Sequence, residues 1–146
     1  MAGGGISINY AAHSLDKICY LTQSDIAWAT GSCTYLQPGT DVDGSAQMLL
    51  RTSSGISASI SLCGYSVVPI DETMLFFANG SLRLHTGSDL SVTCGSGYET
   101  VDTSSYPNAF EAQWADFISG VRAGRILYCD GTYGASIVRT IELLYH

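Results

Sequence analysis

Between about residues 27 and 101 the apolar side chains recur at every second position, and this alternation constrains the fold more than any other feature. The pattern is clearest in residues 46–51 and 56–63, on either side of the Ser53-Ser54-Gly55 turn. A period of two predicts strands with one apolar and one polar face, and the short turn predicts a hairpin. The apolar positions of this hairpin are Ala46, Met48, Leu50, Ile56, Ala58, Ile60 and Leu62.

A second hairpin is predicted from Thr73 to Phe77 and from Leu82 to His85, closed at Asn79-Gly80. Asn-Gly between two alternating segments is a strong signal for a two-residue hairpin turn. Leu90, Val92 and Cys94 add a further short alternating strand. Because consecutive hairpins pair neighbouring strands in opposite directions, the sheet is expected to be mainly antiparallel.

The first of three predicted helices runs from about Asn9 to Thr22. Apolar residues at spacings of three and four predict a buried stripe on one face of this helix. A second stripe of polar residues falls at i, i+4 and i+7 on a different face. The apolar stripe consists of Ile8, Ala11, Leu15 and Ile18, and the polar stripe consists of Asn9, His13 and Asp16.

Two more helices are predicted near the end of the sequence. Asn108 is placed to cap one helix at its start and Gly124 at its end. The wide apolar stripe of this helix is expected to anchor it on the sheet. The last helix is predicted from about Asp130 to Tyr145. The apolar positions are Phe110, Trp114, Phe117, Ile118 and Val121 in the first of these helices and Val138, Ile141, Leu144 and Tyr145 in the second.

These elements predict an α+β fold with two layers. An open, mainly antiparallel sheet is covered on one face by about three helices, and its other face is free for oligomerisation. With 146 residues the sequence has the length of one ordinary domain, so residues 1–146 are assigned to a single domain.

The charge balance and the cysteines exclude several classes of partner and compartment. Thirteen acidic residues against 6 basic ones give a net charge of −7, which disfavours nucleic acid and anionic membranes as partners. The sequence has neither an apolar run of roughly 20 residues nor the pattern of a signal peptide. Its 5 cysteines are odd in number and irregularly spaced, as expected of reduced thiols in a cytoplasmic protein.

No motif for nucleotide, metal or nucleophile chemistry is found. The Gly3-Gly4-Gly5 run has neither a preceding strand nor the spacing of a dinucleotide-binding loop, so no residue is assigned to NAD(P) or to a metal. A small hydrolase is disfavoured because no nucleophile with a base and an orienting acid can be named.

His13 is the titratable residue with the most suggestive neighbours. A neutral imidazole can move a proton to or from a hydroxyl group. Asn9, one turn earlier, can hydrogen-bond the same hydroxyl, and Asp16, one turn later, can orient the ring. Spacing alone leaves open the plainer alternative of a surface histidine paired locally with Asp16. His85 and His146 have no such neighbours in sequence, and no role is predicted for them.

Gly3-Gly4-Gly5, Asn9, His13 and Asp16 resemble the GGGxxxDxxxHxxD segment that opens the C-terminal domain of the glucose–fructose oxidoreductase, inositol dehydrogenase and MocA family. The resemblance continues in the family's order over nearly the whole chain. The matching segments are Ser45–Leu62 for a strand pair, Glu72–Leu84 for a hairpin, and Phe110–Gly124 and Asp130–Tyr145 for two helices.

The resemblance implies a parent NAD(P)-dependent oxidoreductase acting on a sugar, cyclitol or related secondary alcohol. Family members carry an N-terminal Rossmann domain, absent here, that binds NAD or NADP. The chain alone is then expected to bind no cofactor, to be inactive, and to form a homo-oligomer through its open sheet face. The alternative is a stand-alone, non-enzymatic binding or oligomerisation module with a decayed site.

The family's site residues carry over at three positions. His13 matches the histidine that contacts the reacting hydroxyl and relays its proton, so it is the predicted catalytic and substrate-binding residue. Asn9 stands where many members have aspartate. Because asparagine cannot act as a base, only a substrate hydrogen bond is expected from it. Asp16 matches a trailing acidic position and is expected to be supporting.

Overall fold

The computed structural model describes residues 5–35, 39, 42–65, 67–93 and 95–145, and these form two units. The first unit comprises residues 1–66 and 128–146, and the second comprises residues 67–127. Gly3, Gly4, Cys94 and His146, to which the sequence analysis referred, lie outside the described residues.

The first unit contains a three-stranded antiparallel sheet in the order β1-β2-β3. Met48 in the central strand pairs with Gly31 on one side and Ile60 on the other. The elements of this unit are a π-helix (Ser7–Ala11), α1 (Ala12–Thr22), β1 (Ile26–Tyr35), β2 (Asp43–Thr52), β3 (Ser57–Cys63), α3 (Gly131–Glu142) and a 3₁₀ helix (Leu143–Tyr145).

The second unit contains a four-stranded antiparallel sheet in the order β4-β5-β6-β7, followed by one helix. Phe77 pairs with Gly80, so the tight turn consists of residues 78 and 79, one position earlier than predicted. The elements are β4 (Glu72–Phe77), β5 (Gly80–His85), β6 (Asp89–Thr93), β7 (Glu99–Thr100) and α2 (Ala109–Ala123).

The predicted α+β class, with antiparallel strands and three helices, is confirmed. The alternation in residues 46–63 is confirmed, and both predicted hairpins are present, the second with its turn one residue earlier than predicted. The strands are divided between two hydrogen-bonded sheets, which the alternation could not reveal because it carries no information about which strands pair.

The core of the first unit lies between one face of its sheet and the helices. Each large apolar side chain removed from water there contributes about 1.5–3 kcal/mol. The sheet contributes Ala46, Met48, Leu50 and Ile60, the helices from the N-terminal segment contribute Ala11, Leu15 and Cys19, and the C-terminal helices contribute Ile137, Ile141 and Leu144.

The apolar stripe predicted for the first helix is partly wrong. Ala11 and Leu15 are buried, but Ile8 is 49% exposed, and the polar Ser7 takes its place in the interior. The reason is the π-helix, whose i to i+5 hydrogen bonds widen the turn and rotate Ile8 away from the sheet.

The stripe predicted for the last helix also needs one correction. Val138 is 55% exposed, whereas Ile137 is buried with Ile141 and Leu144. Ile137 and Ile141 are four residues apart and therefore lie on the same helix face. Helical periodicity allows either of the adjacent residues 137 and 138 on the inner face, and the packing selects Ile137.

The apolar stripe of α2 is exposed, so the expectation that it anchors the helix on a sheet is wrong for the chain as described. Phe110 is 80% and Trp114 is 64% exposed, and Phe117 and Val121 are exposed as well. The predicted ends of α2 are confirmed. The Asn108 side chain accepts a hydrogen bond from the Phe110 amide, and Gly124 closes the helix in the left-handed conformation.

Candidate functional site

Asn9 and His13 lie one turn apart at the junction of the π-helix and α1, and both are exposed. Single π-turns occur frequently at functional sites because they change the direction in which neighbouring side chains point. The stretch from Ser7 to His13 therefore offers an amide and an imidazole on the surface, while Ser7 and Ala11 face the interior.

The carboxylate of Asp16 on α1 is hydrogen-bonded to α3. Its Oδ1 atom accepts a 2.7 Å hydrogen bond from the Tyr133 hydroxyl, which belongs to the first turn of α3. Burial, and then the hydrogen bond to the Asp16 carboxylate, raise the pKa of Tyr133, so it remains a donor at neutral pH. The contact shown for Asp16 thus runs to α3 and not to the His13 ring.

An aromatic cluster surrounds this hydrogen bond. The ring of Tyr133 packs at a tilt against Tyr128, with 5.1 Å between centroids, and Tyr128 meets the edge of Tyr20 at 5.9 Å. Cys19 lies buried beside them, and burial raises the pKa of its thiol although the Tyr133 hydroxyl partly opposes this shift. These contacts fix the second half of α1 against α3.

The start of the helix is held by a different carboxylate. Asp43, at the beginning of β2, is 1% exposed and accepts four hydrogen bonds. Its Oδ2 accepts from the Ser7 amide at 2.8 Å and the Ser7 hydroxyl at 2.7 Å. Its Oδ1 accepts from the Gly5 amide at 3.1 Å and the Tyr145 hydroxyl at 2.8 Å.

The environment of Asp43 favours its charged form. Burial by itself raises the pKa of this carboxyl, but the hydrogen bonds from Ser7 and Tyr145 outweigh it, and the pKa lies below its usual range. For the donor Tyr145, burial and the hydrogen bond to Asp43 raise the pKa to about 12.

A cavity of about 440 Å³ lies in the first unit between the end of α1, the start of β1 and α3. Asn9 and His13 do not line it. Two carboxylates, Asp25 and Asp130, line it, and Asp130 Oδ1 accepts a hydrogen bond from the Tyr133 amide as the cap of α3. The lining residues are Cys19, Asp25, Ile26, Asp130, Thr132, Tyr133, Ser136, Ile137 and Thr140.

His85 has acidic neighbours that sequence reasoning missed. Its Nδ1 lies 2.9 Å from Asp89 Oδ1, and its Nε2 lies 3.8 Å from Glu72 Oε2. Glu72 also receives a 2.6 Å contact from Arg83. The pairing of β5 with β4 and β6 brings these groups together. The predicted turn at Asn79-Gly80 lies one residue too late and would have placed Glu72 opposite Gly87 instead of His85. The cluster is a charged pairing across three strands.

The described residues form neither a metal-binding cluster nor a dinucleotide-binding fold. In this part of the chain no three His, Cys, Asp or Glu side chains are arranged to hold a metal ion. Every strand pairing described is antiparallel, whereas a dinucleotide cradle requires parallel strands joined through a helix. The described strands therefore do not form a dinucleotide cradle of this kind. None of the described helices combines the length and apolarity of a membrane span.

The outer face of the first sheet is exposed and carries little charge. Leu49 is 58% exposed at its centre, and Trp28 lies opposite Arg51 at one end of the β1–β2 ladder. Short polar residues fill the rest, and the Gln47 amide bonds the Ser61 hydroxyl at 2.7 Å. The face predicted from the sequence, namely Gln47, Leu49, Arg51, Ser57, Ser59, Ser61 and Cys63, is exposed at every position.

The sequence matches one protein family. Residues 1–83 match the model of the GFO/IDH/MocA C-terminal domain, which is more than half of the chain. The matched part includes the π-helix, α1 and the complete first sheet. No curated protein sequence matches the chain.

Solved structures share the fold across nearly the whole chain. A levoglucosan dehydrogenase in complex with NADH and L-sorbose superimposes with a TM-score of 0.85 at 16% identity, covering 99% of this chain and 49% of that one. The aldose-aldose oxidoreductase from Caulobacter crescentus, complexed with glycerol, gives 0.84 at 21%, covering 99% and 45%. UDP-N-acetylglucosamine 3-dehydrogenase from Acidithiobacillus ferrooxidans gives 0.80 at 18%, covering 95% and 46%. The chain thus spans about half the length of these enzymes.

Proposed function

Because the chain belongs to the GFO/IDH/MocA C-terminal domain family, we propose that it is the substrate-side domain of an NAD(P)-dependent oxidoreductase acting on a sugar, cyclitol or related secondary alcohol. The similar structures support this assignment, since they include a levoglucosan dehydrogenase with NADH and L-sorbose and an aldose-aldose oxidoreductase with glycerol. The chain would supply one wall of the substrate pocket.

The observation that carries the proposal is the exposure of Asn9 and His13 together at the π-turn. In the proposed reaction His13 accepts the proton of the reacting hydroxyl through a ring nitrogen, or returns it in the reverse direction. The Asn9 amide holds a substrate hydroxyl through a hydrogen bond. Asparagine does not titrate, so of these two side chains only His13 can move a proton.

Asp16 supports the site by another route than the one expected from the sequence. Its hydrogen bond to Tyr133 ties α1 to α3, one turn beyond His13. In the proposed site Asp16 therefore keeps the helix that bears His13 in place, and the orientation of the imidazole is left to the substrate and to the rest of the enzyme.

The cofactor, NAD or NADP, is proposed to be bound by a separate nucleotide-binding domain of the full-length enzyme, where it accepts or supplies the hydride. The antiparallel pairing of the described strands supports this division of labour. The chain alone is then inactive and binds neither dinucleotide. Calorimetric titration should give no heat of binding with either, and a micromolar dissociation constant would refute this part of the proposal.

The direct test of the proposed function uses the chain fused to, or encoded with, a nucleotide-binding domain. His13→Ala should lower turnover by roughly 10²–10⁴, the contribution of general acid–base catalysis. His13→Gln keeps a hydrogen bond without a titratable proton and should recover binding more than rate. His85→Gln, a histidine of the second unit, serves as the control. Near-normal turnover in His13→Ala would contradict the proposal.

A stand-alone binding or oligomerisation module remains the second candidate. Asn9, where many family members carry aspartate, favours it because the loss of a carboxylate is one way in which a catalytic site decays. Titration of the chain with glucose or inositol, followed by amide NMR, separates the two candidates. Shifts at Asn9 and His13 support a substrate site, whereas unchanged spectra support the decayed module.

We also propose that the chain forms a homo-oligomer through the outer face of the first sheet. The face is low in charge and exposed within the chain, and low charge is typical of interface cores. Light scattering should show a dimer or larger species, and Leu49→Lys should dissociate it. Val67→Lys, at an exposed position of the second unit, should not. A 15.5 kDa monomer at high protein concentration would count against the proposal.

A cytoplasmic location of the protein stays a prediction.

A further inference from the structure

The helix that carries Asn9 and His13 begins without a cap of its own. Ile6, at the capping position of the π-helix, makes no side-chain hydrogen bond to the first turn. The first four amides of any helix lack partners inside it and need acceptors from elsewhere. Here the acceptor is Asp43, 36 residues away from Ser7 in sequence.

Gly5, at the start of the helix, packs so closely against the backbone of Asp43 that no side chain fits there. A Cβ atom on Gly5 would lie 2.2 Å from the Asp43 carbonyl oxygen and 2.4 Å from its amide nitrogen. Both are backbone atoms of β2 and cannot rotate away. The entry to the π-helix is therefore locked to one position along β2 by backbone packing as well as by hydrogen bonds.

The bonds to Asp43 arrive from two sides. Ser7 and Gly5 donate from the helix that bears the candidate site, whereas Tyr145 donates from the C-terminal 3₁₀ helix. The carboxylate of Asp43 therefore holds two segments of the chain at once. Only the Ser7 side, however, lies within one helical turn of Asn9 and two of His13.

We infer that Asp43 is a positioning residue for the proposed substrate contacts, because it sets where the π-turn that presents Asn9 and His13 sits on the first sheet. This inference rests on the proposed function for the meaning of those two side chains. Asp43 itself is buried and touches no substrate. Its effect reaches the site through Ser7 and the helix start.

The test compares two variants that each remove one hydroxyl donor from the same carboxylate. Ser7→Ala removes the 2.7 Å bond on the helix side, and Tyr145→Phe removes the 2.8 Å bond on the C-terminal side. Both should lower the melting temperature by similar amounts. Only Ser7→Ala should speed amide hydrogen exchange from Asn9 to His13, by roughly ten- to a hundredfold relative to the β2–β3 amides, as the loss of a charge-assisted bond implies.

Asp43→Asn provides the direct variant, since it keeps the shape of the side chain and removes its charge. It should reproduce the exchange pattern of Ser7→Ala and weaken any glucose-induced shift at Asn9 and His13. If Asp43→Asn does not fold, the comparison of hydrogen exchange between Ser7→Ala and Tyr145→Phe still tests the inference. Equal exchange in that pair would overturn the inference.

The proposed function is tested by a different measurement, the titration of the wild-type chain with a ligand. A wild-type chain that shows no shift at Asn9 or His13 with glucose or inositol counts against the substrate site. The exchange measurement needs no ligand, so it tests the placement of the helix by Asp43 whatever the titration shows.

Discussion

The hydroxyl of Tyr133 donates a 2.7 Å hydrogen bond to the carboxylate of Asp16, and this contact joins α3 to α1 across 117 residues of sequence. It holds the middle of the helix that carries the candidate site, whereas Asp43 holds the start of that helix through Ser7 and Gly5. Asn9 and His13 lie between these two attachments. An exposed pair of polar side chains is thus presented by a helix that is tied down on both sides.

Removing the Tyr133 hydroxyl should destabilise the first unit. Tyr133→Phe leaves the part-buried Asp16 carboxylate without this donor, which is expected to cost about 1–3 kcal/mol. Urea denaturation measures the change. Tyr98→Phe is the matched control because its hydroxyl bonds Ser81 on the surface, so it should change stability by less than about 0.5 kcal/mol. Equal effects of the two variants would contradict the structural role of the Asp16 bond.

Stability should fall on acidification through the titration of Asp43. Its pKa is lowered in the folded chain, so its contribution is present above the unfolded value and is lost as pH falls through the folded one. Unfolding free energies should therefore decline below about pH 4. Asp43→Asn should flatten this acid limb. Asp89→Asn removes a second carboxylate whose pKa is lowered, first by its hydrogen bond from His85, and it should leave the contribution of Asp43 in place. An acid limb unchanged by Asp43→Asn would refute the assignment.

Two glycine substitutions should act in opposite directions. A Cβ on Gly31 would meet the Gln47 carbonyl oxygen at 2.4 Å, so Gly31→Ala should destabilise the chain by about 1–3 kcal/mol. Gly134 lies within α3 with open space around it, so Gly134→Ala should stabilise it by about 0.5–1 kcal/mol. Thermal melts of the two variants measure both effects. A stabilising Gly31→Ala would show that β1 does not approach β2 this closely.

The exposed stripe of α2 should tolerate truncation. Phe110→Ala is expected to change stability by no more than about 0.5 kcal/mol, as for other exposed positions. Ile141→Ala, which removes a buried side chain of the first unit, should cost about 2–5 kcal/mol. Urea denaturation of both variants, followed by circular dichroism, gives the comparison. A loss of several kcal/mol in Phe110→Ala would mean that the stripe is packed in solution.

Local sequence signals predicted most elements because each depends on neighbours along the chain. The alternation in residues 46–63 gave the β2–β3 hairpin, and Asn108 and Gly124 marked the ends of α2. The π-turn was not predicted, because the residues from Ser7 to Ala11 carry no pattern that distinguishes it from an α-helix. That turn is the reason that Ile8 is exposed and Ser7 is buried.

The residues of the candidate site stay a prediction, and the contacts that hold their helix were not predicted from the sequence. Asn9, His13 and Asp16 follow from helical spacing and from the family resemblance. The partners of the helix are distant in sequence, and neither Asp43 nor Tyr133 could be identified by spacing. His85 was assigned no neighbours, yet the pairing of three strands places Glu72 and Asp89 beside it.

By itself the sequence determined the antiparallel α+β class, most of the strands and the caps of α2, because periodicity and turn chemistry act over a few positions. Tertiary structure alone decided the π-turn at Asn9, the choice of Ile137 over Val138 for the core, and the exposure of α2. It also decided that Asp43 and Tyr133 hold the helix of His13. These outcomes depend on close packing and hydrogen-bond satisfaction between distant segments, which no local pattern encodes.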